Sequence, residues 1–223
     1  MKKLLAILIT ASLLACEAPV EVSLENRGLV VDKAMVVSAH PLASKVGREI
    51  MQKGGNAVDA AIATQFALAV VYPGAGKIGG GGFMVSRMAN GEVASLDYRE
   101  KAPLAGGRDM YLDDQGEVIP MASVRGHLAA GVPGTVAGLE AAHKKYGKLA
   151  WADLVQPAID LAANGWKLTA REASGLNGNR KVFMEYNTVM PDFFLAAEGT
   201  SWKEGDIVSI PDLAATLTLI RDN

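Results

Sequence analysis

Gly54-Gly55-Asn56-Ala57-Val58-Asp59-Ala60-Ala61-Ile62-Ala63-Thr64-Gln65-Phe66-Ala67-Leu68-Ala69-Val70-Val71 is the stretch on which the fold turns. From Ala57 onward nearly every residue is apolar, with Asp59, Thr64 and Gln65 the polar interruptions. A helix that is apolar almost all round belongs inside a core. A bilayer-spanning helix needs roughly 20 apolar residues, so this run is too short and too interrupted to cross a membrane. Asn56 is suited to cap it, and Asp59 three residues on favours its N-terminus. Upstream, Pro41 opens an earlier helix in which Leu42, Val46 and Ile50 share a face, and Gly54-Gly55 stops it. Met35 to Ala39 reads as a short strand leading in.

Downstream, Gly74 to Gly82 is a glycine-dense turn. Phe83 to Met88 then reads as a strand, Asn90-Gly91 as a hairpin turn, and Glu92 to Tyr98 as the returning strand. After Pro133-Gly134, a helix face is marked by Val136, Leu139, Ala142 and Tyr146. Another is marked by Trp151, Leu154, Val155, Ala158, Ile159 and Ala162, and ends at Asn164-Gly165. Pro157 inside that pattern predicts a kink or a fresh helix start. Residues 171–210 carry only weak periodicity, and Pro211 opens a last apolar helix. No internal repeat is present.

The 223 residues hold 22 Lys+Arg against 24 Asp+Glu, a net charge of −2. That balance offers no basic face for nucleic acid. Half the residues are apolar and 21% are charged, a globular composition with enough length for a real core. Glycine, at 24 of 223 residues, exceeds the usual ~7%. Without a Gly-X-Y period the excess means tight turns and close backbone approach. A single cysteine excludes a disulfide framework or a multi-cysteine zinc site. His40, His127 and His143 are scattered, which argues against a His-rich metal site and fits helix-end or surface roles. No metal and no organic cofactor is expected.

Met1-Lys2-Lys3 followed by the 11-residue apolar run Leu4 to Leu14 has the form of an export signal. Leu13-Leu14-Ala15-Cys16 resembles the lipobox of bacterial lipoproteins, whose cysteine is lipidated and becomes the mature N-terminus. An ordinary signal peptide with an incidental cysteine is the alternative. Glu17 after Cys16 resembles outer-membrane sorting. The expected organisation is a lipoprotein signal peptide over 1–15, a lipid-anchored tether over 16–34, and a domain over 35–223. The protein is thus expected at the bacterial cell envelope, in the outer membrane or periplasm.

Gly74-Ala75-Gly76-Lys77-Ile78-Gly79 spells G-x-G-x-x-G, but that motif needs a strand before it and a helix after it. Here a helix precedes and a strand follows, so nucleotide binding is not expected. Lys77 is followed by Ile78, so the Walker pattern fails too. Gly79 to Gly82 is either a flexible turn or a place where the backbone passes close to a ligand or neighbouring strand. Asp97-Tyr98-Arg99-Glu100 ends the second strand. Arg99 can hold a carboxylate through two parallel N–H···O bonds, as lysine cannot. It can equally pair with Asp97 or Glu100 at the surface, where such pairs contribute little, and the residues alone favour that pairing.

Several segments resemble γ-glutamyltransferases (γ-glutamyltranspeptidases, glutathione hydrolases). They are Gly54 to Ala61 (GGNAVDAA), Gly79 to Met84 (GGGGFM), Asp97 to Pro103 (DYREKAP), Gly131 to Gly138 (GVPGTVAG) and Val155 to Ala158 (VQPA), in the family's order. The resemblance covers roughly Met35 to Asn223. It implies an α/β (α+β) fold, the αββα sandwich of N-terminal-nucleophile hydrolases, with only the N-terminal part of the large subunit present. In that family a precursor cleaves itself, and the freed threonine of the small subunit attacks the γ-glutamyl amide. The γ-glutamyl-enzyme then passes its acyl group to water or to an amino acid or peptide.

Carried over, Arg99 matches the arginine that grips the donor's α-carboxylate, with Glu100 as a partner that orients it. No segment like Thr-Thr-His-Tyr-Ser occurs, and Thr64, Thr135 and Thr169 stand in the wrong context. The nucleophile is therefore expected downstream, no catalytic residue is expected here, and the 223 residues alone are expected to be inactive, with apolar surface exposed. The implied partners are glutathione or another γ-glutamyl compound, the small subunit of the same precursor, and a membrane reached through the lipid. The alternatives are a cephalosporin (glutaryl) acylase-like amidohydrolase and a lipoprotein that binds γ-glutamyl compounds without turning them over.

Overall fold

The computed structural model describes residues 28–187, 189, 193, 196 and 201–223. Val36–Asn223 form one compact unit, and Met1–Met35 form another, of which residues 28–35 are described and hold no helix or strand. The export signal, Cys16 and most of the tether lie outside the described residues.

Helix α1 (Pro41–Gln52) begins with proline at its first position. Its N-cap is His40, whose Nδ1 accepts the Leu42 N–H at 3.1 Å. Gly54, with φ +95°, ends the turn that follows. The expected helix over Ala57–Val71 forms with those bounds as α2. Asn56 Oδ1 accepts the Val58 and Asp59 N–H groups, and Asp59 Oδ2 accepts the Asn56 N–H at 2.9 Å, a complete capping box. Phe66, Ile62, Val70 and Val71 are buried completely, each contributing about 1.5–3 kcal/mol relative to exposure. Helix α2 is the hub of the layer, packed against α1, α3 (Thr135–Tyr146) and α4 (Trp151–Asn164); α4 in turn carries α6 (Pro211–Asp222).

Val36 to Ala39 alternates half-buried and exposed residues as a strand would, yet it forms no strand. A strand exists through its ladder, and this segment has no partner among the described residues. The fresh start expected at Pro157 does not occur either: α4 runs as one helix through it. The carbonyl that loses its partner belongs to exposed Asp153, where water can satisfy it, while Leu154, Val155 and Ile159 are buried on the opposite side. Residues 170–186, weakly periodic in sequence, form helix α5 (Ala170–Tyr186). Its start is fixed by a second capping box, in which Thr169 Oγ1 accepts the Glu172 N–H and Glu172 Oε2 accepts the Thr169 N–H at 2.7 Å. Glu172 Oε1 also meets His40 Nε2 at 2.8 Å, tying the starts of α1 and α5 together.

The hairpin forms as expected. Strands β1 (Phe83–Arg87) and β2 (Val93–Asp97) pair antiparallel, with Phe83 opposite Asp97 and Arg87 opposite Val93. Gly91, at φ +88°, supplies the turn. One face, with Met84 and Leu96, leans on the core; the other exposes Phe83, Val85 and Val93. A short pair, β3 (Trp166–Lys167) with β4 (Ile207–Val208), follows α4. Strands among the described residues pair only two by two. Among the described residues, what is present of the expected sandwich is therefore helices, one exposed hairpin and the short β3–β4 pair.

Candidate substrate cleft at the end of the hairpin

Arg99 and Glu100 lie between two pinned points. Before them, Tyr98 continues the ladder, donating to Gly82 O at 3.0 Å. After them, Lys101 and Val132 exchange backbone hydrogen bonds of 3.1 and 2.8 Å. Asp97 Oδ1 accepts the Arg99 N–H at 2.9 Å, turning the chain out of the strand.

Glycines make this passage possible from both sides. A Cβ on Gly81 would stand 2.7 Å from Arg99 Cα and from Glu100 N. A Cβ on Gly134 would collide with the Tyr98 carbonyl oxygen, and one on Gly138 with the Tyr98 ring. Gly80 O accepts the N–H groups of Gly134 and Thr135 at 2.8 and 3.0 Å, taking up two free donors at the start of α3. Of the two readings open for the glycine run, close backbone approach is the one realised at Gly81, to the chain just past the end of β2.

The Arg99 side chain is 62% exposed. Its Nε donates to Glu100 Oε2 at 3.0 Å, and its guanidinium carbon lies 5.8 Å from the centre of the Phe83 ring. Among the described residues, Nη1 and Nη2 make no hydrogen bond. The surface pair is thus present in part, through one nitrogen, while the outer edge of the fork stays open. Glu100 is held below the usual carboxylate range first by its own backbone N–H; burial opposes this, and the charge and hydrogen bond of Arg99 and the charge of Lys77 add to the lowering. Burial pushes the Tyr98 phenol up.

Around Arg99 opens a cleft of about 490 Å³ whose walls include Lys77, Gly79, Glu100, Tyr111 and Leu128. Tyr111 donates its hydroxyl to Leu128 O at 3.3 Å and so joins two arms of the irregular segment that forms one wall. A wider depression of about 650 Å³ beside α5 is lined by Asn177 and Trp202. There Asn177 already spends its amide on the Trp202 backbone, at 2.9 Å for both bonds.

Among the described residues, no threonine lines the cleft. Thr64 and Thr135 are buried, and Thr169 caps α5. His40 is a helix cap, His143 gives Nε2 to Leu149 O at 2.8 Å beside Trp151, and His127 is exposed in a single 3-10 turn. Among the described residues no group of three or more His, Cys, Asp or Glu side chains could hold a metal ion. Lys77, Tyr111 and Leu128 were not legible as site residues. Lys77 stands in a turn with no periodicity, and the segment over 101–131 carries no regular element apart from one short turn.

The model of the gamma-glutamyltranspeptidase family matches residues 43–223. The "Glutathione hydrolase proenzyme" of Pseudomonas sp. (strain A14) is 48% identical over 189 residues, covering 85% of this chain and 33% of that protein. The crystal structure of Helicobacter pylori gamma-glutamyltranspeptidase superposes with a TM-score of 0.82 at 47% identity, over 88% of this chain and 56% of that one. Gamma-glutamyltranspeptidase from Pseudomonas nitroreducens, complexed with L-DON, gives a TM-score of 0.75 at 44% identity, over 87% and 56%. The chain spans about a third of the length of the curated relatives it matches. The fold is α+β and of the N-terminal-nucleophile hydrolase class.

Proposed function

The chain belongs to the gamma-glutamyltranspeptidase family, and we propose that it forms the donor-gripping part of a γ-glutamyltransferase/glutathione hydrolase. The outward Nη1 and Nη2 of Arg99 take the α-carboxylate of a γ-glutamyl compound through two parallel, charge-assisted hydrogen bonds. Glu100, bonded to Nε, keeps the fork facing the cleft. A carboxylate held at two points fixes the register of the γ-carbonyl, and orientation of this kind lowers the barrier to attack. The observation that carries this reading is the half-used guanidinium between two pinned backbone points.

A threonine supplied from outside these 223 residues then attacks the γ-carbonyl. Its proton passes to the departing amine, and a γ-glutamyl ester remains until water or an amino acid takes the acyl group. Supporting this source of the nucleophile, Thr64 and Thr135 are sealed in the core and Thr169 is engaged as a cap. The 223 residues alone would bind the donor's head without cleaving it.

The test is Arg99→Lys in the protein together with its nucleophile-bearing part, assayed on γ-glutamyl-p-nitroanilide. A strong rise in KM with self-cleavage intact supports the reading; an unchanged KM overturns it. Preference for a glutaryl amide over the γ-glutamyl donor would favour an acylase instead, because a glutaryl group lacks the α-amino acid head that Arg99 is proposed to grip. A coding sequence that never supplies the nucleophilic threonine would favour a non-catalytic binding protein.

The same protein is proposed to sit at the bacterial cell envelope, lipid-anchored through Cys16. The support is the basic start, the 11-residue apolar run and the Leu-Leu-Ala-Cys string. Cys16→Ser should abolish incorporation of labelled palmitate and release the protein from the membrane fraction. Labelling that persists in the variant would overturn the anchor.

A further inference from the structure

The charges lining the cleft do not balance. Lys77, Arg99 and Lys101 stand against the single carboxylate of Glu100. Glu100 is spent on Arg99 Nε. One donor α-carboxylate on Arg99 therefore still leaves an excess of positive charge around the ligand. Lys77 makes no ion pair among the described residues. Its aliphatic stem is laid along Gly80, where a Cβ would stand 2.6 Å from Lys77 Cδ and closer still to Cε. The missing side chain at Gly80 is thus what lets the lysine stem lie there. Gly80 in turn is fixed by its carbonyl to the start of α3. The stem is guided while the ammonium stays free.

We propose that Lys77 is a specificity-determining residue that takes a second carboxylate, so that the cleft selects γ-glutamyl donors whose leaving amine bears one, as a γ-glutamyl peptide does. The proposal rests on the reading of Arg99 as the holder of the α-carboxylate. Lys101 lines the same cleft, but none of the described glycines lies against its side-chain stem as Gly80 lies against that of Lys77. Lys77 and the Arg99–Glu100 pair line the same cleft, and the Lys77 stem runs along Gly80 within it. The two cations differ in kind as well. The arginine fork suits a carboxylate of fixed orientation, while a lysine ammonium accepts one arriving at varied angles on leaving groups of varied length.

The test compares two donors in the protein with its nucleophile-bearing part: γ-glutamylglycine, which has the second carboxylate, and γ-glutamyl-p-nitroanilide, which has none. Lys77→Gln should raise the ratio of their KM values roughly three- to five-fold, the size of a partly exposed ion contact. Added salt should move the wild-type ratio in the same direction. Lys101→Gln should move it less. A ratio that stays at the wild-type value in Lys77→Gln, or that shifts more in Lys101→Gln, overturns the assignment while Arg99 still grips the donor. Arg99→Lys without effect on either KM, or a wild type that turns over neither donor, overturns the underlying reading instead.

Discussion

Asp59 and Glu100 are both carboxylates that accept hydrogen bonds, one in the helical layer from backbone N–H groups and one at the lip of the cleft from an arginine. Asp59 is completely buried, and its two oxygens accept from Asn56 N and from Lys148 N at 2.9 to 3.2 Å. It caps α2 and also stitches in the chain that leaves α3. Glu100 is partly exposed and holds an arginine whose outer nitrogens have no partner among the described residues. The buried Asp59 carboxylate is satisfied internally because an unpaired charge there is costly, whereas the neutral Thr64 Oγ1, Thr135 Oγ1 and Trp166 Nε1 are buried with no hydrogen-bond partner among the described residues. The cleft can leave donors open because water serves them until a ligand arrives. Saturation of the partners around the carboxylate, rather than residue type, separates Asp59, which maintains the fold, from Glu100 at the candidate cleft.

That contrast is open to direct attack. Asp59→Ala removes an acceptor shared by two part-buried backbone donors and should lower stability by about 2–4 kcal/mol in urea unfolding, at roughly 1–2 kcal/mol for each N–H left without its partner. A loss below about 1 kcal/mol would mean that the layer does not depend on the carboxylate. Gly134→Ala should come next. Its Cβ meets the Tyr98 carbonyl, which is backbone and must shift, at a cost of about 1–3 kcal/mol. Because Arg99 follows Tyr98 directly, donor KM should rise with it. A stability loss without any KM change would uncouple the glycines from the cleft.

Arg99→Lys should invert the pattern. Stability should stay within about 0.5 kcal/mol of wild type, as for an exposed position, while KM for a γ-glutamyl donor rises roughly ten- to fifty-fold through loss of the two-pronged contact. The smallest effect is on titration. The Glu100 carboxyl titrates below the usual 4.5, so its ionised form favours the folded state above that value, and this contribution is lost as pH falls through the lowered one. Carbon-13 NMR of the side chain should show Arg99→Gln moving the titration upward but not all the way, because the backbone N–H, the larger cause, remains. A full return to the ordinary value would assign the whole effect to the arginine.

Much of the helical layer was legible. Asn56 and Asp59 announce α2, Pro41 and Gly54 bracket α1, Asn90-Gly91 fixes the hairpin, and Pro211 opens α6. Helix α5 was not read, because its apolar period is weak; the capping-box spacing of Thr169 and Glu172 is the signal that marks its start. Met35 to Ala39 failed for the opposite reason, because an alternating pattern forms a strand only where a second strand pairs with it. At the site, Arg99 and Glu100 could be named from their segment, but Lys77 and Tyr111 could not. Their relevance lies in meeting across a cleft walled by irregular chain.

The amino-acid order by itself determined the capped, buried α2, the hairpin and its turn, and the family likeness, since each depends on relations between residues a few positions apart. Tertiary structure alone decided that the glycine run, the DYRE segment and the start of α3 close on one another. It also decided that Lys77 joins Arg99 in one electropositive cleft, and that Pro157 is carried inside a continuous helix. These outcomes depend on which surfaces pack and which backbone groups find distant partners, and short-range spacing does not encode that.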